Sequence, residues 1–177
     1  MPLDLTSVAE KNLARIHEWI RSVDQKLSIL LTFQGVFVAL VTPMVVSLFS
    51  QHAYELNAIG VGFITAGYSS MAYGIFKAIL ALYSTLKVKK AKQLTEDQLS
   101  LTYFQHIDSI SLETYEKRML KLSKKEYIKE LLAQTKVSAT ITTRKQVRFN
   151  DALFFFFSGA TILAGALVFL AYCLMVG

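Results

Sequence analysis

Three long apolar runs dominate the hydropathy pattern of the chain. They are Leu27–Phe49, Ala58–Leu82 and Ala152–Val176, and Lys77 is the one Lys, Arg, Asp or Glu within them. About 20 apolar residues in an α-helix cross about 30 Å of membrane hydrocarbon. Because each run reaches this length, the pattern predicts an all-α integral membrane protein whose three transmembrane helices cover residues 27–49, 58–82 and 152–176.

The residues before the first run form an amphipathic pattern. Apolar side chains recur there at spacings of three and four: Leu13, Ile16, Ile20, Val23 and Leu27. This spacing places them on one face of a helix, and Ser7-Val-Ala-Glu10 fits a capping box at its start. The pattern predicts an amphipathic helix over residues 1–26 that continues into the first span.

The segment between the second and third runs, residues 83–151, is polar. Within it, Leu99–Ile110 mixes β-branched, aromatic and polar residues without a helical period. This mixture predicts an irregular or briefly extended loop. Ser111 then fits the N-cap of a short helix that ends near Leu122.

A second capping box follows at Ser123-Lys-Lys-Glu126. From Glu126 to Val176 there is no Pro, and the first Gly is Gly159. Because nothing in this stretch breaks a helix, one helix is predicted to run from the polar segment through the third span. Such a helix can connect an event in the polar segment to the membrane.

Charge predicts how the spans are oriented. Hydrophobic residues make up 53 % of the chain and charged residues 18 %, whereas soluble domains have about 45–50 % and about 25 %. Of the 19 Lys and Arg residues, four precede the first span, fourteen lie between Lys87 and Arg148, and the 50–57 connection has none. The positive-inside rule therefore predicts that residues 1–26 and 83–151 are cytoplasmic, and that the 50–57 loop and the C-terminus are external.

The net charge of +6 then lies on the cytoplasmic side of the membrane. A basic surface beside the bilayer favours contact with anionic lipid over a nucleotide or nucleic-acid site.

The sequence offers little catalytic chemistry. The three histidines lie in three different segments, and Cys173 is the single cysteine, within the third span. No P-loop, dinucleotide-binding, nucleophile-elbow or zinc-protease motif occurs, so the sequence predicts no enzyme, no metal site and no cofactor. His106 and Asp108 form the one candidate acid–base pair, and such a lone pair in a loop is more often structural.

The second span has a small residue at every fourth position. These residues are Ala58, Gly62, Ala66, Ser70, Gly74 and Ala78. Small residues let helix backbones approach closely in lipid, which makes Gly62, Ser70 and Gly74 candidates for packing against another helix or lining a pore. Four residues turn about 400°, so only three or four members of the track can serve one contact. The pattern leaves open whether the partner helix belongs to the same chain or to a second subunit.

Polar and helix-bending residues mark other positions in the spans. Gln34 supplies an amide to the first span, and Pro43 removes a backbone hydrogen bond from its outer half. These features suit a pore-lining or gating helix and occur equally in ordinary bundles. Lys77 lies close enough to the cytoplasmic end of its span to extend its ammonium towards the headgroups, which is favoured over a position in a water-filled path.

Three segments resemble a known family, the bacterial Pycsar membrane effectors (PycTM). The first, Trp19-Ile-Arg-Ser-Val-Asp24-Gln-Lys26-Leu-Ser-Ile-Leu30, is similar to the family's W-x-x-x-x-D-x-K-x-x-x-L opening. The second, Glu126–Gln134 followed by Ile141, Lys145 and Ala152, resembles a block in which a glutamine and a lysine precede the last span. The third, Tyr103–Ile107 followed by Glu113-Thr-Tyr115, is similar to the family's loop-and-helix piece.

The resemblance implies a phage-defence effector. In that family a nucleotide cyclase makes cyclic CMP or cyclic UMP on infection, the effector senses it, and the inner membrane is compromised before phage mature. The implied ligand is a cyclic pyrimidine mononucleotide, bound by a homo-oligomer in the bacterial inner membrane. The matched positions Asp24, Lys26, Gln134 and Lys145 are the implied ligand-binding or gating residues. An ion pair between Asp24 and Lys145, or separate solvation of the two, is the alternative.

Two other functions stay open. A SLATT-like membrane effector would give the same output with a different nucleotide trigger, and an oligonucleotide synthase in the neighbouring gene would favour it. A constitutive membrane scaffold or transporter subunit would need no ligand.

Overall fold

The computed structural model describes residues 4–51, 58–83, 100–102 and 104–176. The described part contains five helices and no strand: α1 (Leu5–Gln51), α2 (Ala58–Leu82), α3 (Phe104–Ile107), α4 (Leu112–Lys121) and α5 (Lys124–Val176). This confirms the all-α prediction. Most of the predicted 50–57 loop and residues 84–99 of the predicted cytoplasmic segment lie outside the described residues.

The helices divide between two compact units. One, here called the charged unit, comprises Met1–Ser22 and Ser84–Arg144, and the other, the spanning unit, comprises Val23–Tyr83 and Lys145–Gly177. Both α1 and α5 contribute residues to each unit, whereas α2 belongs to the spanning unit alone.

Three helices, α1, α2 and α5, are long and apolar enough to cross a membrane. In the spanning unit their outward faces carry large apolar side chains: Ile29, Val36, Leu40, Met44, Phe63, Phe76, Phe154 and Val168. Exposed apolar patches of this extent are incompatible with a water-facing surface but match the hydrocarbon of a bilayer. The chain is a multi-pass membrane protein.

In the spanning unit, α1 and α5 run in the same direction. Asp24 on α1 pairs with Lys145 on α5 near the start of the part of each helix that belongs to the spanning unit. Further along both helices, the ring of Phe37 stands edge-on to that of Phe156, with ring centroids 5.6 Å apart. In contrast, α2 runs the opposite way, because Lys77 near its end meets Asp151 on α5. The apolar core forms two clusters, one of which contains Leu27, Leu30, Ala78 and Ala152 and the other Val45, Ile64, Met71, Phe156 and Leu163.

The start of α5 in the charged unit follows its predicted capping box. The Ser123 amide donates to Glu126 Oε2 at 3.0 Å, and the Glu126 amide donates to Ser123 Oγ at 3.3 Å. Two otherwise unpaired groups at the helix terminus are thereby satisfied. The single long helix predicted from here through the third span is confirmed, since α5 ends at Val176.

The predicted short helix is also confirmed, and its N-cap is Ser111, whose side chain accepts from the Thr114 amide. The loop before it was predicted without a helix, which is wrong for Phe104–Ile107, the residues of α3. One turn of helix is too short to produce a periodic pattern.

The capping box predicted at Ser7 is wrong. The first helix begins at Leu5, and the Asp4 carboxylate accepts from the Thr6 amide at 3.3 Å. Asp is as good an N-cap as Ser, and it lies earlier in the chain.

Candidate functional site

An ion pair joins the two helices that both units share. Lys145 Nζ on α5 lies 2.5 Å from Asp24 Oδ1 on α1. The lysine side chain is 8 % exposed and the aspartate side chain 37 %. The ammonium is therefore buried with a single carboxylate beside it, while water reaches the carboxylate from one side. Of the alternatives left open by the sequence, this is the interhelical ion pair.

A second ion pair links α2 to α5. Lys77 Nζ lies 3.3 Å from Asp151 Oδ2, and the same ammonium stands 5.2 Å from the centre of the Tyr73 ring. Both side chains are partly exposed, at 24 % and 40 %. Close by in sequence, Arg148 Nη1 donates to the Leu80 carbonyl at 2.8 Å, within the last turn of α2. A cation there satisfies a carbonyl that the helix itself leaves unpaired.

The charged side chains that the structure describes in the spanning unit lie at one end. Among its described residues the Lys, Arg, Asp and Glu side chains are Asp24, Lys26, Lys77, Lys145, Arg148 and Asp151. From Asp151 to Tyr172 on α5 the rise is about 30 Å at 1.5 Å per residue, the thickness of the hydrocarbon layer. We call this end the charged end. Along α5 it is separated from Tyr172 by the distance between the two membrane–water interfaces.

The two remaining family-like residues are not part of this pair. Lys26 is exposed on α1 in the spanning unit, and Gln134 is half-buried on α5 in the charged unit. Of the four matched residues, the described structure therefore brings together Asp24 and Lys145.

The small residues of α2 divide between two faces. An added Cβ at Gly74 would lie 2.9 Å from the Phe156 amide nitrogen, and Ser70 Oγ donates to the Phe155 carbonyl at 2.8 Å. At Gly62 an added Cβ would meet nothing within 4 Å. The contact with α5 follows spacings of both three and four. It therefore includes Gly67, which does not belong to the four-residue track. Pro43 is exposed within α1, which continues past it to Gln51.

Gln34 is buried completely, at 0 % exposure, and neither its amide nitrogen nor its oxygen has a hydrogen-bond partner among the described residues. The sequence identified the residue but not its burial.

In the charged unit one carboxylate oxygen holds a loop. Glu130 Oε2 on α5 accepts from the Ser100 hydroxyl at 3.1 Å, the Leu101 amide at 3.1 Å and the Thr102 hydroxyl at 3.0 Å. The side chain of Leu101 is buried against Ile110 beneath this loop. His106, considered above with Asp108 as an acid–base pair, accepts from the Ser100 amide through Nδ1 at 3.0 Å. That bond supports the structural role for His106.

Two further contacts tie α1 to α5 within the charged unit. Lys124 donates to Asp4 at 3.3 Å, and this bond lowers the pKa of the Asp4 carboxyl. The Tyr127 hydroxyl donates to Glu10 at 3.0 Å, which raises the pKa of the phenol. Both helices run in the same direction here, as they do in the spanning unit.

Sequence reasoning missed Asp151, Arg148 and Glu130. Asp151 directly precedes the third apolar run. At that position a charged residue indicates only that the polar segment ends there. The partners of Glu130 lie 28 to 30 residues away in sequence, beyond any local pattern. Within the described ranges, no group of three His, Cys, Asp or Glu side chains could hold a metal ion.

Comparison with protein families gives a match over nearly the whole chain. The family model for the Pycsar effector protein domain covers residues 8–172. A search of the curated proteins and a search of the solved structures found no match.

Proposed function

Because the chain belongs to the Pycsar effector family, whose members are antiphage membrane effectors, we propose that it senses cCMP or cUMP in the cytoplasm and disrupts the inner membrane. The family implies a cyclic nucleotide signal and a cyclase that makes it. The match and the absence of a catalytic motif both fit an effector that acts without catalysis.

The observation that carries this proposal is that α1 and α5 each supply residues to both units. A ligand that binds the charged unit can change the spanning unit only if it prefers one arrangement of these shared helices. In this proposal Gln134 and the lysines and arginines of the charged unit receive the nucleotide, whose phosphate favours cationic donors.

The pair of Asp24 and Lys145 then acts as a gate. Because the Lys145 ammonium is buried and already bonded to Asp24, it is better placed to hold α1 against α5 than to bind a free ligand. Release of this bond lets α1 separate from α5. The exposed Lys26 and the partly exposed Lys77 lie towards anionic headgroups, consistent with Lys77 reaching the interface.

The proposed orientation follows the charge distribution. Residues 1–26 and 83–151 are cytoplasmic, the 50–57 loop and the C-terminus are external, and the charged end lies at the cytoplasmic interface. The outward faces of α1 and α2 carry small residues, including Gly35 and Gly62, beside which an added Cβ meets nothing within 4 Å. These faces are where copies of the chain would associate in the proposed homo-oligomer.

The proposal is tested with purified protein in vesicles of phosphatidylethanolamine and phosphatidylglycerol that contain a fluorescent dye. We expect cCMP or cUMP to release the dye and to raise the melting temperature of the detergent-solubilised protein, whereas cAMP does neither. If neither pyrimidine nucleotide produces release or stabilisation, the proposal is wrong. Release by cyclic oligonucleotides alone would instead support the SLATT-like alternative, and release without any nucleotide would support a ligand-independent protein.

A pair of variants separates the ligand site from the membrane part. Gln134→Met should weaken nucleotide-dependent stabilisation while leaving the melting temperature without nucleotide unchanged. Gln146→Met is the matched control, because Gln146 is a half-buried glutamine on the same helix but in the spanning unit. Equal nucleotide responses in the two variants would remove Gln134 from the ligand site.

A further inference from the structure

Gln34 occupies a position where a membrane protein normally places an apolar residue. It faces the inside of the spanning unit with 0 % exposure, and neither polar atom of its amide pairs with another described residue. The other large side chains that are fully buried among the described residues are all apolar: Phe156, Leu27, Met71, Leu163 and Leu170.

The residue separates the two apolar clusters of the core. Leu30, one turn before it on α1, belongs to the cluster at the charged end. Phe37 and Val38, about one turn after it, pack against the other cluster. Since ten residues separate Gln34 from Asp24, the amide lies about 15 Å from the charged end, close to the middle of the hydrocarbon.

Two hydroxyl groups of the spanning unit donate to acceptors other than Gln34. The Ser70 hydroxyl donates to the Phe155 carbonyl, and the Tyr68 hydroxyl donates to Thr42. A buried amide without a partner is destabilising, because the hydrocarbon supplies no water to replace the bonds it loses.

A shift of α2 towards α5 cannot open space around the Gln34 amide. An added Cβ at Gly159 would lie 2.6 Å from the Gly67 carbonyl oxygen, so these two backbones are already in contact. In contrast, α1 meets α5 through side chains, among them the rings of Phe33 and Phe156 with centroids 5.9 Å apart. Movement of α1 is therefore the way in which the Gln34 amide can reach a partner.

We propose that Gln34 is a destabilising residue built into the closed spanning unit, whose amide gains hydrogen bonds when α1 moves away from α2 and α5 and water enters. The unpaired amide raises the free energy of the closed arrangement and not that of the open one. The two arrangements are thereby brought closer together, and a weaker signal suffices to open the bundle. This inference goes beyond the proposed function, and its test requires no nucleotide.

The test replaces the amide with an apolar group of similar length and volume. We expect Gln34→Met to raise the melting temperature of the detergent-solubilised protein by about 2–4 °C. In lipid nanodiscs we expect amide hydrogen exchange over residues 30–45 to slow by about fivefold. Gln34→Leu should give the same sign, so the result does not depend on how one side chain fits.

Gln25→Met is the matched control, because it makes the same chemical change at an exposed position of α1. It should leave both measurements unchanged. A melting temperature that stays constant or falls in both Gln34 variants would overturn the proposal. A higher melting temperature without slower exchange would also overturn it, because the amide would then not act on the opening of α1.

Discussion

Lys145 and Asp24 pair across α5 and α1 with unequal burial, since the lysine side chain is 8 % exposed and the aspartate side chain 37 %. Water can solvate the carboxylate if the lysine is removed, but it cannot solvate the ammonium equally well if the aspartate is removed. The cost of breaking the pair therefore depends on which partner is lost.

We expect Asp24→Asn to destabilise the protein by about 2 kcal/mol, because it leaves a buried ammonium without its counter-charge. Lys145→Met should cost less, about 1 kcal/mol or below, because the remaining carboxylate is partly hydrated. Denaturant unfolding in detergent measures both, and Lys26→Met, at an exposed lysine two residues from Asp24, serves as the control. A larger loss in Lys145→Met than in Asp24→Asn would contradict this reading of the pair.

Gly74 should not tolerate a methyl group. Gly74→Ala places a Cβ 2.9 Å from the Phe156 amide nitrogen and 3.0 Å from the Ala152 carbonyl oxygen, both of them backbone atoms. We expect the variant to force α2 and α5 apart and to lower the free energy of unfolding by about 2 kcal/mol.

Gly62→Ala is the matched control on the same helix, since an added Cβ there meets nothing within 4 Å. In a monomer it should be neutral or stabilise by up to about 1 kcal/mol, because alanine is the better helix former. Thermal unfolding in detergent compares the two variants. Equal effects would show that the contact between α2 and α5 does not have the stated geometry.

Glu130 should determine whether the loop at residues 100–102 stays on α5. In Glu130→Ala, the Ser100, Leu101 and Thr102 groups lose their shared acceptor. We expect a loss of about 1–3 kcal/mol in the local stability of this loop, and faster hydrogen exchange over residues 100–110. Glu116→Ala, at an exposed glutamate on α4, should leave the exchange rates as they are, and unchanged rates in Glu130→Ala as well would argue against the Glu130 contact.

The start of α5 should lose stability in acid. Hydrogen bonds from the Ser123 hydroxyl and amide hold the pKa of Glu126 below its ordinary value of 4.5. A carboxyl group whose pKa is lowered by folding contributes stability above its unfolded pKa and loses that contribution as the pH falls through its folded pKa. The window therefore lies below pH 4.5.

Hydrogen exchange over the first turns of α5, measured between pH 6 and pH 3 and corrected for the intrinsic rate, should report this loss. Asp4 adds to it in the same direction, because Lys124 lowers its pKa from 3.8. Glu126→Gln should flatten the dependence over this range. The same slope in this variant as in the parent chain would exclude Glu126 as its source.

The features that the sequence predicts well are local. The three spans follow from run length, and the N-cap at Ser111 and the capping box at Ser123 need only four consecutive residues. The small-residue track on α2 is predicted in part, because a spacing of four drifts about 40° per step around the helix. The contact with α5 corrects for this drift by alternating spacings of three and four, at Gly67, Met71, Gly74 and Ala78.

The features that the sequence predicts poorly are long-range pairings. The Asp24–Lys145 pair spans 121 residues and the Lys77–Asp151 pair 74 residues. Neither separation leaves a periodic signal, so the first could be named only as one of two alternatives and the second not at all. The burial of Gln34 likewise depends on which face of α1 meets the other two helices.

The backbone contact between Gly67 and Gly159 can form only after α5 has been synthesised. The first two spans are synthesised in close succession, whereas α5 follows only after the whole segment at 83–123 has been made. Until then, the face of α2 that carries Gly67 and Gly74 has no α5 packed against it. A chain that stops before the third span would leave this face open to other membrane helices, so the nascent protein is most vulnerable to misassembly in that interval.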